Sequence, residues 1–193
     1  MPVRFLIAAA LLSLATAGCA NGESPVTANS PGRTPVTMMQ GYTREQLSPP
    51  CTPQLGGAVI NGFLHGINTL DRRTAIQRIA AKPELNWFGL TRKGSSALRL
   101  QSPVAIYRTF KRRRVRGQVR TLKRAQVFPL DPAAENSGPY TRPKTGLTAD
   151  DPVMGITFIL KVRNVRRGKT VAMAGKGGIN CETGRFYIWN GGG

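Results

Sequence analysis

The chain has 193 residues, of which 40% are apolar, and its 28 lysines and arginines outnumber 9 acidic residues, giving a formal net charge of +19. This length fits one folded domain with tails and argues against a second full domain. The charge attracts polyanions of any kind and does not identify one. A single histidine and three cysteines argue against a zinc or iron site, so we expect no metal and no cofactor.

Residues 1–18 predict a signal peptide. Arg4 supplies a positive charge, an uncharged apolar run extends from Phe5 to Ala17, and small residues lead to Cys19. The run is shorter than the ~18 residues that a membrane-spanning helix needs. The segment therefore favours export over a retained transmembrane helix.

Two cleavage sites compete at the end of this segment. Ala15-Thr16-Ala17 suits an ordinary signal peptidase, which would leave a secreted protein. Ala17-Gly18-Cys19 resembles the lipobox of bacterial lipoproteins, apart from Thr16, where that pattern prefers leucine. The lipobox predicts lipidation of Cys19, which would hold the chain on the outer face of the cell membrane.

The cysteine count favours lipidation. An exported protein with an odd number of cysteines needs a role for the unpaired one. Lipidation of Cys19 supplies that role and leaves Cys51 and Cys181 to form a disulfide. In the chain-entropy model, closing so long a loop contributes about 4–5 kcal/mol.

The chain after the leader divides into a linker and a domain. Residues 19–50 are rich in Pro, Ser, Thr, Gly and Asn without apolar periodicity, which predicts a flexible linker. A domain is predicted over residues 51–190. Its first helix, Gln54 to Asn68, has apolar residues every four positions. A second helix is predicted from Arg72 to Ala81, capped by Asp71 and ended by Pro83.

Strands dominate the rest of the domain. A short strand is predicted over Leu85–Leu90, and a third helix runs from the start signal Ser102-Pro103 to about Arg114. The remaining strands are predicted over residues 119–127, 155–163, 170–175 and 185–189, with a proline-rich loop over 129–152. Because helices come first and strands last, we expect an α+β fold with a curved antiparallel sheet.

This order of elements, with Asn86-Trp87-Phe88 at the end of the short strand, resembles the nuclear-transport-factor-2-like (NTF2-like) superfamily, which includes SnoaL-like polyketide cyclases. Two stretches, Arg112–Leu122 and Gly175–Trp189, resemble uncharacterised exported lipoproteins of actinobacteria within it. The resemblance implies a cone of helices packed on a curved sheet. The cone either holds a small apolar ligand, lined here by Trp87, Phe158 and Trp189, or is filled by them. Homodimers are common in the superfamily.

Catalytic members of this superfamily place acidic residues or a His–Asp pair inside the cone. All nine acidic residues of this chain are assigned to the linker, helix caps or loops, and none to the middle of a strand. His65 lies off the apolar stripe of its helix and fits a half-buried surface residue better than an acid–base group. We therefore predict no catalytic residues, and a SnoaL-like cyclase or isomerase remains the least favoured alternative.

A run of basic residues extends from the third helix into the next strand. Its members are Arg108, Lys111, Arg112, Arg113, Arg114, Arg116, Arg120, Lys123 and Arg124. The nearby aromatics, Tyr107 and Phe110, are assigned to the core, so the stacking platform of a single-stranded nucleic-acid binder is missing. An exported protein meets phosphate headgroups and anionic wall polymers rather than nucleic acid.

These observations predict a non-enzymatic, membrane-anchored extracytoplasmic binding module. Its basic face would contact anionic lipid, an anionic cell-wall polymer or an acidic protein. A carrier of a small apolar ligand in the cone is the alternative. The basic residues are also compatible with a solvated surface that has no dedicated partner.

Overall fold

A computed structural model describes residues 36–91, 94–130, 146–148 and 150–192. Cys19 and the rest of residues 1–35 lie outside the described residues, so the signal peptide and the lipidation stay predictions. Most of the predicted loop over 129–152 also lies outside them. Within the described part, no helix is long and apolar enough to cross a membrane.

Helix α1, Pro53–Thr69, begins where the Thr52 side chain accepts a hydrogen bond from the Leu55 amide at 3.1 Å. The predicted apolar stripe is buried against the sheet and consists of Val59, Ile60, Phe63 and Ile67. Gly66 lies directly against the backbone of Ala75, so a Cβ at this position would collide with the next helix. The helix glycines therefore serve close packing.

Helix α2, Arg72–Gln77, is shorter than predicted. Asp71 caps it as expected, since its carboxylate accepts a hydrogen bond from the Thr74 amide at 3.1 Å. The chain leaves the helix early because it joins the sheet, where the Phe186 amide donates to the Arg78 carbonyl at 3.0 Å. Pro83 consequently lies in a strand, at a register shift that tolerates its missing N–H donor.

The sheet has seven strands in the described residues. They are β1 Val36–Met38, β2 Ile79–Thr91, β3 Gly94–Leu100, β4 Gln118–Pro129, β5 Val153–Asn164, β6 Thr170–Asn180 and β7 Arg185–Gly192. Their order is β1-β4-β5-β6-β7-β2-β3. Strands β4 to β7 are antiparallel, as predicted, but β1 pairs parallel to β4 and β2 parallel to β7. The sheet is therefore mixed, and the two members of each parallel pair are far apart in the order of elements, as parallel pairing requires a long connection.

The sheet includes residues that precede the predicted domain boundary. Val36–Met38 pairs with Ala125–Val127 of β4, and Leu47 is buried. Residues 36–50 are thus part of the fold, where the sequence pattern predicts linker. Three residues are too few to show an apolar period, and their partner strand is distant in sequence.

Helix α3, Pro103–Val115, agrees with the prediction and ends before Gly117, whose φ of 93° begins the turn into β4. Ser102 occupies the N-cap position, but its side chain makes no capping hydrogen bond. In the first half of the helix, the buried Tyr107 donates a hydrogen bond from its hydroxyl to the Leu70 carbonyl at 2.8 Å. This bond joins α3 to the end of α1.

Aromatic rings fill the space between the helices and the inner face of the sheet. The members of this aromatic cluster are Phe63, Phe110, Phe158, Phe186 and Trp189. Trp189 is 1% exposed and contacts the other four rings at centroid distances from 4.6 to 6.0 Å. The rings bury a large apolar area and make the core of the cone.

The predicted disulfide between Cys51 and Cys181 is confirmed. The two Cα atoms are 5.0 Å apart and 130 positions apart in sequence. The bond joins the entry of α1 to the turn between β6 and β7, so it closes a loop that contains most of the domain. Its contribution to stability is about 4–5 kcal/mol in the chain-entropy model.

Candidate functional site

Cationic side chains gather where α3 ends and the β5–β6 turn packs against it. The Val165 amide donates to the Gly117 carbonyl at 2.9 Å, and Nη2 of Arg166 donates to the Val115 carbonyl at 3.1 Å. These bonds join two basic segments that lie 51 positions apart in sequence. We define the basic surface as the exposed side chains Arg108, Lys111, Arg112, Arg116, Arg166, Arg167 and Lys169.

Within the described residues, no carboxylate forms an ion pair with a member of the basic surface. Two of the acidic side chains are engaged elsewhere. Asp71 caps α2, where hydrogen bonds from Thr74 hold the pKa of its carboxyl below the usual value. Glu84 pairs with Arg99. The cations at the end of α3 also complement the negative end of the helix dipole, so the fold itself tolerates them without a partner.

The predicted anion-binding residues fall into three groups. Six are exposed: Arg108, Lys111, Arg112, Arg116, Lys123 and Arg124. Arg113 and Arg114 are half-buried, and Nε of Arg114 donates to the Asn68 carbonyl at 2.8 Å. Arg120 is 0% exposed. The first group carries any contact with an anionic surface.

The prediction that Arg120 belongs to the basic face is wrong. Arg120 and Leu122 point from β4 into the domain, while Thr121 and Lys123 point outward. Side chains alternate between the two faces of a strand, and this alternation directs Arg120 inward. A count of positive charges in the sequence does not take the alternation into account. The register with β5 then shifts between Leu122 and Arg124, which leaves two successive cations, Lys123 and Arg124, exposed.

A groove of about 440 Å³ crosses the outer face of β4 to β7. Its lining includes a row of residues paired across the four strands, Gln126, Thr157, Lys176 and Asn190. Directly paired residues project from the same face of a sheet. Arg124, Ile159 and Ala174 continue the lining beside this row.

The groove combines positive charge with amide groups and a small apolar floor. Arg124 and Lys176 provide the charge, and the Asn190 side-chain oxygen accepts a hydrogen bond from Asn86 at 3.1 Å. Among the described residues that line the groove there is no carboxylate and no imidazole. The arrangement can hold an anionic head beside a short apolar segment.

One acidic residue departs from the prediction that none lies within a strand. Glu84 is in β2, is 2% exposed and forms an ion pair with Arg99. The expected helix ending at Pro83 had placed it in a loop. The ion pair neutralises its carboxylate. His65 is exposed on α1, and the described residues contain no group of three or more metal-ligating side chains.

Two of the three residues predicted to line a ligand cavity in the cone are core residues. Phe158 and Trp189 are 3% and 1% exposed and belong to the aromatic cluster. They are core residues, and side chains fill the space around them. Trp87 lies on β2, but its side chain falls outside the described residues. The pattern of large aromatics identified the interior and could not distinguish a filled cone from an open one.

Neither a protein-family model nor a curated protein matches the chain in sequence. Solved structures do resemble it. A protein of unknown function with a cystatin-like fold from Methylobium petroleophilum PM1 matches with a TM-score of 0.50 and 12% identity, over 74% of this chain and 78% of that chain. A putative polyketide cyclase from Xanthomonas campestris pv. campestris matches with a TM-score of 0.43 and 11% identity, over 72% and 90% of the two chains.

An NTF2-like protein of unknown function from Cytophaga hutchinsonii ATCC 33406 matches with a TM-score of 0.38 and 13% identity, over 69% and 84% of the two chains. At these identities the likeness concerns the fold and not the activity. Helices α1 and α3 pack on the inner face of a curved sheet, as the sequence order predicts, although the sheet is mixed where an antiparallel one was expected. The chain has the predicted α+β, NTF2-like cone fold, and the Methylobium protein with a cystatin-like fold resembles it.

Proposed function

We propose that this chain is a non-enzymatic, membrane-anchored binding module outside the cytoplasm, of the exported actinobacterial lipoprotein branch of NTF2-like proteins. Its basic surface contacts anionic headgroups or anionic polymers of the cell envelope. The observation that carries the proposal is the meeting of two basic segments at the end of α3 without an ion-paired carboxylate among the described residues. An acidic protein is the third kind of partner that this surface suits.

The predicted anchor supports contact with the membrane itself. Lipid on Cys19 would leave residues 20–35 between the membrane and β1. A flexible segment of this length has a mean span on the order of 20 Å. The basic surface then stays close to the headgroups, where each lysine or arginine contributes about 1 kcal/mol at an anionic membrane.

Vesicle co-sedimentation of residues 20–193, without lipid, tests the proposal. We expect binding to anionic vesicles that falls steeply as salt is added, and no binding to neutral vesicles, because screening weakens exposed charge contacts. The double substitution Arg167→Gln/Lys169→Gln removes two charges from the basic surface and should weaken binding.

A matched control carries the same charge change at the other end of the sheet. Lys82→Gln/Arg185→Gln removes two exposed cations, near the disulfide, and should bind almost like the parent chain. Equal losses in both double variants would mean that net charge alone drives binding. Absence of binding at low salt would refute the headgroup contact.

The groove favours a second candidate, a carrier of a small ligand. The ligand would lie on the outer face of the sheet, since the aromatic cluster fills the cone. Arg124 and Lys176 select an anionic head, and the apolar floor accepts a short chain. The carboxylate of Glu84 is buried in β2 and forms an ion pair with Arg99, so we assign it to the structure of the domain and not to a cyclase or isomerase site.

A further inference from the structure

Exposed apolar side chains gather at the same end of the fold as the basic surface. Among the described residues, five large apolar side chains are exposed, and three of them are valines at this end. Val115 is the last residue of α3, and Val165 lies in the β5–β6 turn; their side chains are 54% and 50% exposed. The third, Val171, follows the turn in β6. The basic surface is therefore also the place where the fold leaves apolar groups in water.

Val115 belongs to the row of cations on α3. Arg108, Lys111 and Arg112 precede it by seven, four and three positions, and this spacing puts the four side chains on one face of the helix. All four are exposed. The face thus ends in an apolar side chain at the point where the helix meets the β5–β6 turn.

The β5–β6 turn brings Val165 to the end of this row. The Val165 amide donates to the Gly117 carbonyl at 2.9 Å, and a Cβ at Gly117 would lie 3.4 Å from Cγ2 of Val165. The next residue, Arg166, donates from Nη2 to the Val115 carbonyl at 3.1 Å. These contacts fix Val115 and Val165 at one site, which we call the valine patch, with cations of the basic surface on both sides.

The combination of cations and valines selects among the anionic partners. Exposed cations attract any polyanion. Exposed valines gain from a partner only if it removes them from water, and a hydrated anionic polymer has no apolar phase to do so. An anionic bilayer offers phosphate headgroups to the cations and, directly beneath the headgroups, hydrocarbon to the valines.

We propose that the valine patch enters the boundary between the headgroups and the acyl chains of an anionic membrane while the basic surface stays among the headgroups. The long stems of the surrounding lysines and arginines let their charged ends remain at headgroup level. This inference rests on the proposed function and deepens it, because it names the bilayer as the partner of the basic surface and gives the depth of the contact.

The direction of β1 agrees with this orientation. Because β1 runs parallel to β4, its first residue, Val36, is the β1 residue nearest to the basic surface. Val36 pairs with Ala125, seven positions from Gln118 at the start of β4, a distance of about 23 Å at the rise of a strand. A flexible tether of residues 20–35 has a mean span of similar size. Lipid on Cys19 and the valine patch can therefore reach the same membrane.

Co-sedimentation of residues 20–193 with vesicles of phosphatidylglycerol and phosphatidylcholine tests the insertion. Val115→Thr/Val165→Thr keeps the charge and the β-branched shape of both side chains but makes them polar. We expect it to lower the partition coefficient about 10-fold, because the exposed half of each valine no longer gains from leaving water. Val115→Leu/Val165→Leu adds a methylene group at each site and should raise the partition coefficient.

Tyr42→Ser is the control for these variants. It removes an exposed apolar side chain that contacts Phe128, near the end of β4 that is remote from the basic surface, and it should bind like the parent chain. A monolayer of phosphatidylglycerol measures insertion directly. The parent chain should raise the surface pressure, since side chains that enter the monolayer occupy area in it, and the threonine variant should leave the pressure nearly unchanged.

The possible failures are distinguishable. Equal binding and equal surface pressure for the parent chain and the threonine variant would overturn the insertion and leave the headgroup contact standing. Absence of parent binding to these vesicles at low salt would overturn the headgroup contact and the insertion together. An equal loss of binding to soluble polyglutamate in the threonine variant would assign the valines to an acidic protein instead. If the threonine variant does not fold, the leucine variant decides, because binding no stronger than that of the parent chain overturns the insertion.

Discussion

Along strands β4 to β7, successive side chains point alternately to the inner and the outer face of the sheet, and the two faces differ completely in chemistry. The inner face holds Arg120 and three members of the aromatic cluster, Phe158, Phe186 and Trp189, and the outer face holds exposed cations and the groove. Arg120 and Lys123 illustrate the difference, because they lie three positions apart on β4 and only one is exposed. The position of a cation on the strand, and not its residue type, decides whether the charge is exposed to partners in solution or is buried in the core, where it lowers the stability of the fold.

The largest effect should come from the inner face. Trp189→Ala removes the ring that contacts four others, and we expect a loss of about 3–5 kcal/mol in the free energy of unfolding. Urea denaturation measures it. Ile188→Ala on the neighbouring, partly exposed position should cost clearly less. Similar losses at both positions would contradict the assignment of the two faces.

A pH effect of intermediate size should also belong to the inner face. The pKa of Arg120 is about 10 in the folded chain, because burial lowers it from its ordinary value. Between these values the unfolded chain binds more protons, so the contribution of Arg120 to stability rises with pH. Parent and Arg120→Met chains, unfolded by urea at about pH 8 and about pH 11, should differ in this slope. Parallel pH profiles would show that Arg120 titrates as in the unfolded chain.

The smallest effect on stability should come from the outer face. Arg124→Gln/Lys176→Gln removes two exposed charges, and we expect the free energy of unfolding to stay within about 0.5 kcal/mol of the parent value. Binding of decanoate, measured by calorimetry, should nevertheless be lost if the groove is a ligand site. Lys123→Gln, exposed but outside the groove, should retain it. Undiminished binding in the double variant would exclude the groove.

Local patterns in the sequence were sufficient to predict most elements. Each of three correct predictions depends on a pattern within a single stretch of sequence. These patterns are the four-residue apolar spacing of α1, the start signal of α3 and the apolar–polar alternation of β5. The disulfide followed from cysteine arithmetic. In these cases the physical cause and its sequence signature occupy the same short stretch, which makes them visible before the structure is known.

The errors concern features that depend on distant residues. The edge strand Val36–Met38 exists because β4 offers it a partner, and β2 begins at Ile79 because β7 lies beside it. The burial of Arg120 depends on strand alternation relative to a core that the sequence does not locate. The residue type alone gives the sign of a charge, but whether the charge is buried depends on residues that are distant in the sequence. The groove likewise results from four strands whose pairing no single segment reveals.

The disulfide also determines how the domain bears mechanical load. A pull on an N-terminal tether first meets β1, whose three-residue pairing with β4 can be peeled away from the edge of the sheet. The pull then reaches Cys51, where the covalent bond to Cys181 passes the force to the β6–β7 turn. For a load between the tether and β7, residues 52–180 lie inside this covalent loop and are bypassed by the disulfide. An anchored domain of this design could lose its first strand under tension and keep its sheet, its core and its basic surface.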